Sequence, residues 1–364
     1  MMTVPRGALD SLPLMPGADA QVLRVDDPSA VGEVRRAAMA LAAALHFDET
    51  VRGRVGIVAT ELAGNMAKHA RDGVVMLLPT GTLDEAGLTL LGVDRGPGIV
   101  DVGRALQDGY STAGTPGTGL GAVGRLADEF DLFSAPDDRT HATAAPAGTV
   151  ILARLWANPA GAADARARGA AIDVDGVCLP APGEQVVGDA WCVDDAGDVC
   201  RLLVADGLGH GPLAAAAAAQ AVRIFRRSPN LGPAEMMRVL HDGLRPTRGA
   251  AVAVAELHVG SRTVRYAGVG NIATTIAGPD GTRSLVSHNG TVGHQMRTVQ
   301  ELDYPWPDGS LLIAHSDGLK AHWRLDAYAG LAGHRAAVVA AALWRDQLRG
   351  RDDVTVVVVK AAQA

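Results

Sequence analysis

Four aspartates stand at places where the chain could gather carboxylates. Asp206-Gly207 follows Leu202-Leu203-Val204-Ala205, Asp317-Gly318 follows Leu311-Leu312-Ile313-Ala314-His315-Ser316, and Asp352-Asp353 precedes Val354-Thr355-Val356-Val357-Val358-Val359. The fourth, Asp189, sits in Gly188-Asp189-Ala190-Trp191. Carboxylates at the tips of buried strands can converge on one edge of a sheet. Held close together they repel, and a hard divalent cation with oxygen ligands removes that repulsion. The pattern points to a Mg2+ or Mn2+ site and to phosphate chemistry, although each Asp-Gly taken singly reads equally well as a turn.

A second set lies upstream. Glu61, Asn65 and His69 are spaced i, i+4, i+8 and share one face of a helix. Asp94-Arg95-Gly96-Pro97-Gly98-Ile99 ends an apolar run in a glycine turn, and Gly117-Thr118-Gly119-Leu120-Gly121 leads into a helix. Glycines at a helix N-terminus let backbone N–H groups approach a polyphosphate, and the helix dipole favours the anion. None of the three lysines falls in a G-x-x-x-x-G-K-[ST] motif, which excludes an ordinary P-loop.

The elements that must position these residues divide into two patterns. A strand at 22–25, helices at 30–45 and 48–70, strands at 74–78 and 88–93, a short helix from 120 and strands at 129–133 and 149–155 make the first half a mixed α/β layer. Residues 1–20 read as a loose N-terminus and 156–170 as a linker. From 171 to 364 many short strands are interrupted by helices at 212–227, 233–243 and 335–349, the pattern of a β-sandwich flanked by helices. The expected fold class is α+β.

With 364 residues the chain holds two domains, and at 4% aromatic its cores must be built from Val, Leu, Ile and Ala. Cys178, Cys192 and Cys200 form no C-x-x-C pair and read as reduced core thiols. A net charge of −7 argues against a nucleic-acid surface. No apolar run reaches the roughly 18 residues of a membrane span, and no signal peptide is evident, so a cytoplasmic protein is expected.

The first half resembles a known family on its motifs. Glu61 to Ala70, Asp94 to Ile99 and Gly117 to Phe130 are similar to the three boxes of the GHKL ATPase fold, in its anti-sigma-factor serine kinase branch. Leu106 to Thr112 and Asp128-Glu129-Phe130 narrow the likeness to the RsbT switch kinases, over about residues 21–155. The resemblance implies ATP with Mg2+ as ligand. Asn65 would hold Mg2+ against the phosphates, Asp94 would bind the adenine amino group and Thr149 would be a second adenine contact. Gly98, Gly117, Gly119 and Gly121 would line the nucleotide, and Glu61 would deprotonate the attacking hydroxyl. The alternative is a pocket that binds nucleotide or a partner and transfers nothing.

The second half resembles the SpoIIE branch of the PPM/PP2C protein phosphatases, RsbX type. The likeness rests on Gly188-Asp189, Ala205-Asp206-Gly207-Leu208-Gly209-His210-Gly211, Gly268-Val269-Gly270-Asn271, Ser316-Asp317-Gly318 and Arg351-Asp352-Asp353. It implies two Mn2+ or Mg2+ ions bridged by Asp206, with the Gly207 carbonyl, Asp189, Asp317 and Asp352 completing their shells directly or through water. Asp353 is expected behind these ligands, and His210 is a candidate general acid. The first motif reads Val-Gly-Asp where Gly-Gly-Asp is usual, and the phosphate-binding arginine of the eukaryotic enzymes has no clear counterpart. The two resemblances together imply a bacterial partner-switching regulator. Its expected partner is a STAS-domain antagonist phosphoprotein within a sigma-factor regulatory complex. The kinase branch often dimerises, which leaves a homodimer open.

Overall fold

A computed structural model describes residues 19–81, 85–107, 119–137, 146–159, 172–195 and 197–361. Gly117, Tyr110-Ser111-Thr112 and residues 160–170 of the expected 156–170 linker lie outside these residues. The described chain forms two compact units. One holds residues 19–159 with Asp326–Arg345, and the other holds 172–325 with 346–361.

In the first unit Gln21–Arg24 (β1), Val74–Gly81 (β2), Ala86–Asp94 (β3), Glu129–Ala135 (β4) and Gly148–Trp156 (β5) form an antiparallel sheet in the order β1-β2-β3-β5-β4. Every residue of β3 and β5 is buried, which is why both read as continuous apolar runs and not as alternating ones. One face takes helices α1 (Ala30–Ala44), α2 (Glu49–His69) and, beyond the short α3 (Val102–Ala105), α4 (Gly119–Leu126). Leu41, Val55, Val58 and Leu62 pack there against Leu77, Leu90, Ile151 and Ala153. Asp48 caps α2 by accepting the Val51 N–H at 2.7 Å. Arg54 of α2 donates to the last carbonyl of α4, Leu126 O, at 2.9 Å and pairs with Asp128 at 2.6 Å, which fixes the two helices together.

The opposite face, with Met76, Leu91, Val93 and Leu152, is buried as well. The sequence reading assigned residues 326–345 to the second half, yet this stretch packs as part of the first unit. The C-terminal helix Ala336–Gln347 is buried from Ala336 through Leu343 and has no polar face along that length, the pattern of a helix enclosed on all sides. Its N-terminal approach is fastened electrostatically. His334 bonds Asp131 at 2.8 Å, and the Arg335 N–H and guanidinium donate to Asp131 at 2.7 Å and Glu129 at 2.9 Å. Burial alone would raise the Asp131 pKa, but His334 and Arg335 outweigh it and hold the carboxyl below its usual range.

The second unit is a sandwich of two sheets. Asp189–Asp195 (β7), Val199–Gly207 (β8), Ala250–His258 (β9), Thr263–Val269 (β10) and Ser287–His288 (β13) make one, with Leu302–Pro305 (β14) also paired to β10. Ile172–Leu179 (β6), Ala273–Gly278 (β11), Gly281–Ser284 (β12), Leu311–His315 (β15) and Val354–Ala361 (β16) make the other, in the order β12-β11-β15-β16-β6. Leu202, Val204, Val264 and Tyr266 meet Ile276, Leu312, Val357 and Val359 between the sheets. Helices α5 (Pro212–Arg227) and α6 (Pro233–Leu244) cover the first sheet, packing Val222, Phe225, Met237 and Leu240 onto Leu203, Ala205, Val252 and Val269.

Candidate functional site

The strand register of the second unit brings the aspartates together. Asp189 opens β7 directly opposite Asp206 near the end of β8. Like charges facing each other across a ladder are destabilising, so this pair needs a reason. Asp189 is 3% exposed and its Oδ2 has no hydrogen-bond partner. Burial, with the charges of Asp353 and Asp352, pushes its pKa up to about 7, against the pull of the Ser316 and Thr355 hydroxyls. Asp206 is pushed up to about 9 by burial and by the charges of Asp189, Asp317, Asp352 and Asp353. Burial is the main cause of both rises, and the like charges gathered around the pair add to it.

The surrounding residues fix how these carboxylates present themselves. Asn271 Nδ2 donates to Asp317 Oδ2 at 2.7 Å. Asp353 is 3% exposed and spends both oxygens on the backbone, accepting from Ala181 N at 2.8 Å and Gly188 N at 2.9 Å. It thereby ties the approach to Asp189 to the start of β16. Thr355 N donates to Ser316 Oγ at 2.9 Å, which locks β16 to the Asp317 turn. His210 Nδ1 contacts Glu184 Oε1 at 2.7 Å, with the histidine exposed.

A pair of hard divalent cations fits this donor set. All donors are oxygens, one of them is buried and unpartnered, and the mutual repulsion is of the kind a cation removes. Among the described residues no three His, Cys, Asp or Glu side chains stand close enough together to hold one ion by themselves. Mg2+ characteristically takes one or two carboxylates and keeps several waters, and here Asp206, the Gly207 carbonyl, Asp189, Asp317 and Asp352 would share that role.

The first unit assembles a different site. The Glu61 and Asn65 side chains rise from α2 toward the first turn of α4. A Cβ built on Gly119 would lie 3.1 Å from Glu61 Oε2 and 3.3 Å from Asn65 Oδ1. Asn65 Nδ2 is buried without a partner. Asp94, at the end of β3, pairs in register with Thr149 of β5, and its Oδ1 accepts the Gly96 N–H at 2.6 Å. Burial raises the Asp94 pKa, opposed by the Gly96 N–H, the Arg345 charge and the Thr149 N–H. Thr149 Oγ1 lies 3.1 Å from Ser134 Oγ. Gly98 takes φ +72°, and a Cβ there would fall 2.3 Å from Ala135 O, so the turn below Asp94 requires glycine. Gly121 lies in α4, within two residues of Gly119.

Sequence reading missed Arg345. Its guanidinium, 2% exposed, donates to the backbone oxygen of Asp94 at 3.3 Å and to Pro146 O at 3.2 Å. It supports the site aspartate from a position 251 residues along the chain. A lone arginine in an Ala-rich helix carries no local signal of that role. Asn271 is visible as a motif residue, but its hold on Asp317 is not.

The chain thus carries an α/β layer with an acid–amide pair facing a helix start, followed by a helix-flanked β-sandwich with aspartates at its strand tips. The family described as "Histidine kinase-like ATPase domain" matches residues 25–146, and the family described as "Stage II sporulation protein E (SpoIIE)" matches residues 196–362. Serine/threonine-protein kinase RsbT of Bacillus subtilis (strain 168) is 35% identical over 96 residues, 26% of this chain and 72% of that protein. Through its first half the chain therefore belongs to the RsbT-related GHKL ATPases, and fused to it is a domain that matches the SpoIIE family and is PP2C-like in fold.

Solved structures overlap more loosely. A chain from work on the bacterial stressosome as a modular system adapted to control secondary messenger signaling is 29% identical, with TM-score 0.49, covering 52% of this chain and 99% of that one. The PP2C phosphatase domain of SpoIIE from Bacillus subtilis, with a fragment of its regulatory domain, is 13% identical with TM-score 0.45, covering 76% of this chain and 79% of that one. Among the described residues no helix is long and apolar enough to cross a membrane.

Proposed function

We propose that the second unit is a Mn2+- or Mg2+-dependent serine/threonine phosphoprotein phosphatase. The observation that carries this reading is the cross-strand pair Asp189–Asp206, with an unpartnered buried oxygen and both carboxyls pushed far above their usual range. Two bound divalent cations would supply activation of water and neutralisation of phosphoryl charge. Asp206, with Asp189, Asp317, Asp352 and the Gly207 carbonyl, would hold them. Asp317, held by Asn271, and Asp189, behind which Asp353 fixes the backbone, would keep the ligand oxygens in place without reorganisation. His210, oriented by Glu184, would hand a proton to the departing serine or threonine oxygen.

The first unit would bind ATP with Mg2+ and transfer its terminal phosphoryl group to a protein hydroxyl. Asp94 and Thr149 would hold the adenine, and Asn65 would meet the metal and phosphates. Glu61 would take the hydroxyl proton. The common substrate would be a STAS-domain antagonist, with one unit adding phosphate and the other removing it, in a cytoplasmic partner-switching system that releases or captures a sigma-factor regulator. The test uses the full chain, a STAS protein in both phosphorylation states and labelled ATP. Mn2+-dependent phosphate release that Asp206→Ala abolishes supports the phosphatase, and release unaffected by Asp206→Ala refutes it. Label transfer lost in Glu61→Gln, with nucleotide binding retained, supports the kinase. Nucleotide binding without any transfer by the unsubstituted chain would make the first unit a sensor.

A further inference from the structure

The carboxylate cluster leaves a charge problem. Four other aspartates act on Asp206, so five carboxylates outnumber the charges of two divalent cations, and a phosphomonoester dianion must still approach. Cations near the cluster therefore matter for binding as much as the metals do for chemistry.

Arg248 has the position and the freedom to serve. A Cβ built on Gly209, three residues beyond Asp206, would lie 3.1 Å from Arg248 Nη1, so the guanidinium rests against the loop that follows Asp206. Arg248 is exposed, and it makes no ion pair or side-chain hydrogen bond with any described residue. Its backbone, by contrast, is pinned on both sides. Thr247 Oγ1 donates to Leu244 O at 2.7 Å and accepts the Gly249 N–H at 3.0 Å, and Leu208 N donates to Gly249 O at 3.0 Å. His294 Nε2 lies 3.1 Å from Thr247 O. Gly209 itself takes φ +87°, so the loop runs past the guanidinium with no side chain between them. A free guanidinium on a fixed backbone keeps its five-donor fork available for two oxygens of one phosphoryl group.

We propose that Arg248 is the phosphate-binding arginine of the phosphatase site, receiving two non-bridging phosphoryl oxygens of the substrate. The inference rests on the phosphatase reading above. Arg248 lies two residues before β9, whose first residues pair with the end of β8 at Gly207–Ala250 and Asp206–Ala251.

The experiment uses the full Mn2+-loaded chain and its Arg248→Ala, Arg248→Gln and Arg248→Lys variants. Inorganic phosphate binding is measured by calorimetry, p-nitrophenyl phosphate turnover by KM and kcat, and Mn2+ affinity in the absence of phosphate. Arg248→Ala and Arg248→Gln should weaken phosphate binding and raise KM on the order of 10- to 100-fold, the loss expected for charge-assisted hydrogen bonds. Mn2+ affinity should stay within about twofold, because an exposed guanidinium outside the ligand set does not hold the ions. Arg248→Lys should recover only part of the loss, having charge without the fork. Unchanged phosphate affinity and KM in a chain that hydrolyses the ester overturns the inference alone, and so does a parallel fall in Mn2+ affinity. Absence of any Mn2+-dependent hydrolysis by the unsubstituted chain overturns the phosphatase reading and this inference with it.

Discussion

The two sites carry opposite unpaired groups. At the first site Asn65 Nδ2 is a buried donor without a partner, and at the second Asp189 Oδ2 is a buried acceptor without one. A buried polar group without a partner costs about 1–3 kcal/mol, so each marks where a ligand of matching chemistry belongs. An amide donor beside its own Oδ1 suits a phosphate oxygen and its Mg2+, whereas a carboxylate oxygen among like charges suits a cation. The difference fits the proposed function, in which one unit would receive a nucleotide and the other would be completed by metal.

The strongest way to break this comparison is Asp206→Asn. It should lower Mn2+-dependent phosphatase activity by about 10³-fold, since several kcal/mol of charge stabilisation go with the metals and each 1.36 kcal/mol is a decade. Nucleotide binding by the first unit should be unchanged, and a loss there would contradict two separate sites. The same carboxyl sets a pH signature for the metal-free chain. A group whose pKa is higher folded than unfolded favours folding below its unfolded value, near the ordinary 3.8, and loses that contribution as pH rises through the folded values of about 7 and about 9. Urea denaturation of chelator-treated protein should show stability contributed by Asp189 and Asp206 falling between pH 4 and 9, and added Mn2+ should restore it most at the alkaline end. Asp206→Asn should flatten the slope.

Arg345→Ala tests the first site from beneath. It strips the Asp94 and Pro146 carbonyls of a buried donor and should cost about 2–4 kcal/mol of stability, read by denaturation, together with weaker nucleotide binding. Asn271→Ala should weaken Mn2+ binding about 10-fold while leaving the fold intact, because only the orientation of Asp317 is lost. The smallest effect on the fold is expected for Asn65→Ala. Removing an unsatisfied buried donor should leave the ligand-free stability unchanged or higher by about 1 kcal/mol, while ATP–Mg2+ affinity falls at least about tenfold. A large loss of stability in Asn65→Ala would mean that the residue is structural and that the contrast between the sites is wrong.

Much of the molecule was legible without coordinates. The strand-tip aspartates, the i, i+4 acid–amide pair and the glycine turns announce themselves because their chemistry depends on local spacing, and β8, β15, β16 and α2 follow from short-range hydrophobic pattern. The register that sets Asp189 opposite Asp206 was not legible, since pairing of β7 with β8 is a matter of long-range packing. Nor were the backbone partners of Asp353, Ala181 and Gly188, which lie 172 and 165 residues away along the chain.

The sequence by itself determined two families of chemistry, their order along the chain and the residue types that perform them, because motifs survive as contiguous text. Tertiary structure alone decided that residues 326–345 pack with the first unit, that Arg345 underpins Asp94, and that Arg248 rests against the Asp206 loop. Each of these joins segments far apart in sequence, where burial of apolar surface and the need to satisfy buried backbone groups choose the partner, and no local pattern records that choice.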